Sequence, residues 1–265
     1  MSDAPLSDAP VSDAPRDIAL QTVNLFRNFG GLTATNDVSL TLRRGERHAL
    51  IGPNGAGKTT LINLLTGVLR PSSGRILLEG EDITEARADE RVRRGLARTF
   101  QINQLFAAMT PLEGVGMAVS QTKGKGWEFW RSVGHSRPVI DEIVEVLDRF
   151  GLCDVMGEKI SSLPYGKQRL LEIAMAIACR PRVLLLDEPA AGVPEGERED
   201  ILDVVAKLPE DVTVLLIEHD MDLVFRFASR ISVLVSGALL TAGTVDEIST
   251  DPRVRAVYLG EADHG

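Results

Sequence analysis

Nine residues, Gly52 to Thr60, read GPNGAGKTT and take the form GxxxxGK[ST], a glycine-rich turn able to wrap a phosphate chain. Gly52, Gly55 and Gly57 let successive N–H groups point inward at phosphate oxygens, and the positive end of a following helix adds to them. Lys58 supplies a point charge for the β- and γ-phosphates, and the Thr59 hydroxyl is placed for Mg2+. Pro53, Asn54, Ala56 and Thr60 complete the candidate cradle. Such a turn needs a strand before it and a helix after it. The apolar run His48–Ile51 and the helically spaced Leu61–Leu65 meet both needs, so the chemistry implied is the binding of a nucleoside triphosphate.

Three further positions could act on such a ligand. Val183–Leu186 is an apolar strand that runs into Asp187 and Glu188. At the carboxyl end of a buried parallel strand an aspartate can hold Mg2+ and the neighbouring glutamate can polarise an attacking water, although two acids alone could simply open a solvated turn. Gln101 ends a short strand in LARTFQ, where an amide could reach Mg2+ or the water; a lone glutamine at a strand end is more often a surface residue. His219 follows the strand-like Val214–Ile217, where an imidazole could touch the γ-phosphate or equally serve the packing.

The elements that must position these residues alternate. Strands are predicted at Leu20–Leu25, Val38–Leu42 and Gly74–Leu78 around the phosphate loop, and at 183–186, 212–217 and 231–235 later, with helices at 196–208 and 221–228. From about Leu105 to Cys179 the pattern is mainly helical. Thr110-Pro-Leu-Glu113 is a capping box, and Ile140, Ile143, Val144 and Leu147 share one face of the helix predicted over 138–150. A second capping box, Thr244–Glu247, opens a short C-terminal helix. The expected fold is α/β: a mostly parallel sheet covered on both faces, with an antiparallel β portion and an inserted helical lobe.

Composition narrows the possibilities. A chain of 265 residues that is 44% hydrophobic suffices for one large α/β domain. Its net charge of −9 argues against a general affinity for nucleic acid. Cys153 and Cys179 lack metal-ligand spacing and read as reduced thiols. No apolar stretch approaches the roughly twenty residues that span a bilayer, so a cytoplasmic protein is expected. The first 16 residues, with SDAP three times, read as a disordered tail. Ser120–Ser136, which holds Trp127 and Trp130, reads as a surface excursion.

Taken in order, the phosphate loop, RTFQ, LPYGKQ, LLLDEP and IEHD resemble the nucleotide-binding domain of ABC transporters from about Ile18 onward. The resemblance implies one domain over 17–265, with an ATP-binding core of 17–101 and 181–265 and a helical subdomain of 102–180. It implies ATP and Mg2+ as ligands, Gln101, Glu188 and His219 as catalytic groups, and Thr59, Gln101 and Asp187 around the metal. Phe29 matches the aromatic that stacks on adenine, although it or the nearby Phe26 could be core. Pro164, Tyr165, Gly166 and Lys167 match the signature that meets the ATP of a paired subunit.

LARTFQINQLF, LPYGKQRLLEIA, LLLDEPAAGV, IEHDMDLV and the ending VYLGE are similar to ATP-binding subunits of importers for branched-chain amino acids and related amides or carboxylates. That branch implies a head-to-tail pair, with a related ATPase or a second copy, on the cytoplasmic face of the inner membrane. It also implies membrane-spanning permease subunits and, indirectly, an extracytoplasmic substrate-binding protein. Leu105, Phe106 and Met109 lie where the family receives the permease, or belong to the core. A soluble relative acting on ribosomes or DNA is the alternative, but such chains usually carry two phosphate loops or a long coiled coil. Two departures stand out: Pro164 replaces the usual signature serine, and Pro194 replaces an aspartate that communicates between sites.

Overall fold

The computed structural model describes residues 17–99, 107–122 and 137–259; Gln101, Leu105, Phe106, both tryptophans and the SDAP repeats lie outside them. In chain order the first part comprises β1 (Ile18–Phe29), β2 (Leu32–Val38), β3 (Thr41–Arg43), β4 (Arg47–Ile51), α1 (Lys58–Leu65), β5 (Ser73–Leu78), β6 (Glu81–Asp82), α2 (Ala88–Arg93) and β7 (Leu96–Arg98). Among the described residues three α-helices follow, α3 (Pro111–Thr122), α4 (Arg137–Arg149) and α5 (Tyr165–Ala178). The last part alternates: β8 (Val183–Asp187), α6 (Glu195–Ala206), β9 (Thr213–Ile217), α7 (Met221–Phe227), β10 (Arg230–Val235), β11 (Ala238–Gly243), α8 (Val245–Thr250) and α9 (Pro252–Leu259).

Two sheets result. One is antiparallel, in the order β2-β1-β5-β6 with β3 also on β1; the other runs β11-β10-β4-β9-β8-β7 and is parallel except for β11. The apolar runs of the parallel strands sort by parity, because side chains alternate across a sheet. Leu184, Leu186, Val214 and Leu216 face the helical lobe, whereas Val183, Leu185, Leu215, Ile217 and Leu50 face α1 and the antiparallel sheet. In α5, Leu170 to Ala178 are all buried, and Glu172, the one charged residue among them, accepts from Arg169 at 2.7 Å.

Two expectations need correction. The single strand over 38–42 is broken: β2 ends at Val38 and β3 begins at Thr41. Buried Thr22 spans the break, its hydroxyl donating to the Val38 carbonyl and accepting from the Leu40 N–H, both at 2.8 Å. In α4 the buried stripe is Val139, Ile143 and Leu147, while Ile140 sits on the flank and is exposed. The Thr110 and Thr244 capping boxes both form.

Arg91 fixes the helix behind the phosphate loop. Its guanidinium is buried and donates to Leu64 O at 2.6 Å and Leu65 O at 2.7 Å, the last carbonyls of α1. The remaining donors reach Ala86 O at 3.0 Å and Thr84 O at 2.8 Å. Burial lowers its pKa to about 10, and the charge still favours the negative end of α1.

Candidate functional site

Register brings the chemistry to one edge. Leu50 of β4 pairs with Ile217 of β9, and Ile217 pairs with Asp187 of β8, so three strands end level with one another. Beyond those ends come Gly52, Glu218–His219 and Glu188. Parallel strands with such a common edge form a ligand crevice there.

The phosphate loop is held tightly. At Gly57 φ is +99°, and a Cβ there would lie 2.5 Å from the Ala34 carbonyl oxygen of β2. A Cβ on Gly52 would collide with the Leu234 carbonyl of β10. Only glycine leaves the backbone free to curl at these two points. Lys58 donates from Nζ to the carbonyls of Gly52 and of Pro53, the latter at 3.0 Å, which keeps the ammonium over the loop. Ala56 is buried, whereas Asn54, Gly55 and Thr59 are exposed.

A cleft of about 810 Å3 has Thr59, Asn63, Arg98, Asp187 and Glu188 among its lining residues. Asp187 Oδ2 accepts from the Arg98 guanidinium at 2.6 Å, and the same guanidinium donates to Asn63 Oδ1 at 3.0 Å. Arg98 thus ties the carboxylate to α1. Glu188 adopts φ +45°, unusual for a residue with a side chain, and its N–H donates to Ile217 O at 2.9 Å.

His219 Nδ1 lies 3.8 Å from Glu188 Oε1 and 3.7 Å from Glu218 Oε2. Asp220 caps α7 through Asp222 N and Leu223 N, and so fixes where the preceding histidine emerges. Glu218 is buried and accepts from the His219 N–H at 3.2 Å, while its other oxygen has no hydrogen-bond partner. Burial pushes its carboxyl pKa up, against backbone hydrogen bonds from His219 and Ala190.

The signature residues stand apart from this cleft, at the start of α5. Pro164 is the N-cap residue and offers no side-chain hydrogen bond. Tyr165 folds back, its hydroxyl donating to Ala191 O at 3.4 Å. Gly166 N–H donates to Glu197 of α6 at 3.0 Å. Lys167 is committed to Asp154 at 2.8 Å, so its charge is balanced within the chain. Phe29 is exposed at the tip of the β1–β2 hairpin with the Arg27 guanidinium 4.5 Å above its ring, which removes it from the core.

Arg98, Glu218 and Glu197 escaped the reading of the sequence. Arg98 stood inside the RTFQ segment and Glu218 beside His219, but a charged residue at a strand end carries no sign of its partner. Only the pairing of β7 with β8 sets Arg98 beside Leu185, within reach of Asp187.

A parallel sheet that carries a phosphate loop, a strand-end acid pair and an inserted helical lobe defines a P-loop ATPase cassette. The family model for ABC transporters matches residues 35–191, and one for branched-chain amino acid ATP-binding cassette transporters matches residues 238–264. The chain belongs to the ABC transporter family. It is 40% identical over 252 residues to the high-affinity branched-chain amino acid transport ATP-binding protein BraF of Pseudomonas aeruginosa, covering 92% of this chain and 98% of that protein. It is 40% identical over 254 residues to LivG of Escherichia coli, a protein of the same description, with coverage of 92% and 98%. Among solved structures, an ATP-binding cassette of an ABC transporter in its ADP conformation superposes with a TM-score of 0.80 at 31% identity, covering 92% of this chain and 99% of that one. Among the described residues no helix is long and apolar enough to cross a membrane.

Proposed function

We propose that this chain hydrolyses ATP to power an importer for branched-chain amino acids or related amides and carboxylates. The observation that carries the reading is the level ending of β4, β8 and β9, which gathers the phosphate loop, Asp187, Glu188 and His219 at one edge. The relatives named for branched-chain amino acid transport supply the substrate class.

In this reading residues 52–60 cradle the phosphates, Lys58 turns its ammonium from the loop carbonyls to the β- and γ-phosphates, and Phe29 stacks on adenine. The oxygen donors Thr59, Asp187 and Gln101 suit a hard divalent cation, and Mg2+ there would spread the charge of the phosphates. Glu188 accepts a proton from the attacking water, and His219 contacts the γ-phosphate. Pro164, Tyr165, Gly166 and Lys167 meet the nucleotide of a paired cassette, either a second copy or a related chain, in a head-to-tail sandwich. The pair docks on membrane-spanning permease subunits at the cytoplasmic face of the inner membrane, fed by an extracytoplasmic substrate-binding protein. Residues 17–101 and 181–265 form the ATP-binding core and 102–180 the helical subdomain.

The test is Glu188→Gln. The amide keeps the shape but not the base, so ATP binding is expected to persist while turnover falls about 100-fold or more. Trapped with ATP in membranes of its own organism, the tagged variant is expected to co-purify with multi-span subunits. Near-normal turnover would remove Glu188 from its role, and recovery of ribosomal or DNA-repair proteins would sink the transport reading.

A further inference from the structure

Two prolines open two neighbouring helices, and each leaves something unmatched. At the start of α5, Pro164 has no hydroxyl with which to cap the first turn, so the Gly166 N–H is an orphan donor. At the start of α6, Pro194 is the N-cap and Glu197 stands three residues later. A glutamate at that position ordinarily folds back to the backbone N–H of its own N-cap residue. Proline has no such N–H. Glu197 instead crosses to the other helix, where its Oε2 accepts from the Gly166 N–H at 3.0 Å. The fit is close, since a Cβ on Gly166 would collide with that carboxylate oxygen. Tyr165 adds a second tie, to the segment between β8 and α6, through Ala191.

We propose that Glu197 is a displaceable cap on the signature turn, holding the Gly166 N–H until the γ-phosphate on the paired cassette takes that donor. The inference rests on the sandwich reading given above. A carboxylate and a phosphate cannot both sit on one first-turn donor, because both are anions drawn to the same helix end and they repel each other. Lys167, paired with Asp154, leaves that repulsion unrelieved. Closing the sandwich therefore requires the Glu197 carboxylate to swing off Gly166, which raises the ATP concentration at which the pair forms. The cap also couples the two helices: releasing α5 frees the start of α6, at the position where Pro194 removes the family's usual inter-site aspartate.

The experiment uses the assembled transporter in membranes, in the Glu188→Gln background, and measures nucleotide retained after washing as a function of ATP concentration. Glu197→Gln keeps a carbonyl oxygen for the Gly166 N–H but removes the charge, and a thermal melt verifies its folding. Half-maximal trapping is expected at roughly fivefold lower ATP. Glu197→Ala is expected to trap at similarly low ATP while melting earlier. The isolated chain's affinity for a fluorescent ATP analogue should be unchanged, because its own phosphate loop is untouched. Trapping at the same ATP concentration as the Glu197 parent overturns the cap and leaves the sandwich standing. Absence of trapped nucleotide in every variant overturns the sandwich and the cap together. A change in the isolated chain's affinity would place the action of Glu197 at its own loop and likewise overturn the proposal.

Discussion

Glu188 carries its carboxylate on a left-handed backbone, locked by the hydrogen bond from its N–H to Ile217, while Asp187 beside it is drawn to Arg98. Adjacent acids are thereby aimed apart: one is held by the Arg98 guanidinium and the other faces the His219 imidazole at the cleft. Arg98→Met would leave Asp187 without its fixed partner and is expected to lower kcat about 10–100-fold, with Arg98→Lys restoring part of it. Unchanged turnover and an unchanged Mg2+ requirement for nucleotide binding would show that the ion pair is only structural. Glu218 acts differently. Because burial raises its pKa, the folded chain keeps the proton over a range where the unfolded chain has released it, and there stability falls as pH rises. Glu218→Gln, which keeps an acceptor for the His219 N–H, is expected to be about 1 kcal/mol more stable than the parent at about pH 8. The advantage should shrink near pH 4, just under the ordinary glutamate pKa, and urea denaturation at both values checks it. A parent that gains nothing on acidification would show that the charge is already compensated. The phosphate loop and the acids were legible because their spacing is local. Arg98 and Glu197 were not, because each finds its partner on another element.

At the scale of elements, α1 is braced at both ends. Gly57 opens it in a conformation suited to glycine, and Arg91 closes it with hydrogen bonds to Leu64 and Leu65. Arg91→Leu would leave four carbonyls, of Thr84, Ala86, Leu64 and Leu65, without that donor, at a cost of about 3 kcal/mol. Loss of α1 position should weaken ATP binding in step with the melting temperature, and a variant that melts like the parent would refute the clamp. The sequence announced these helices and the parallel strands well, because continuous apolar runs and capping boxes are written in neighbouring residues. It did not announce the break between β2 and β3, which depends on the Thr22 hydroxyl of another strand. Nor did it place Ile140 correctly, since a helical stripe one residue out of phase looks equally apolar until a neighbour selects Val139.

Across the whole molecule, the phosphate loop lies at a seam between the two sheets. Ala34 of β2 approaches Gly57, the Gly237 N–H donates to Ala56 O at 2.8 Å, and the Asn36 N–H donates to Gly237 O at 2.8 Å. During synthesis, Gly237 therefore leaves the ribosome about 180 residues after the loop it steadies. A growing chain can expose the complete GPNGAGKTT turn and still lack its buttress. Chains stalled or truncated before Arg230 are accordingly expected to show no retention of a fluorescent ATP analogue, and tight retention by such a fragment would refute this. The competence to take up nucleotide then arrives only once β10 and the turn after it have been made, so a nascent cassette is kept from the cell's ATP long after its phosphate loop is translated.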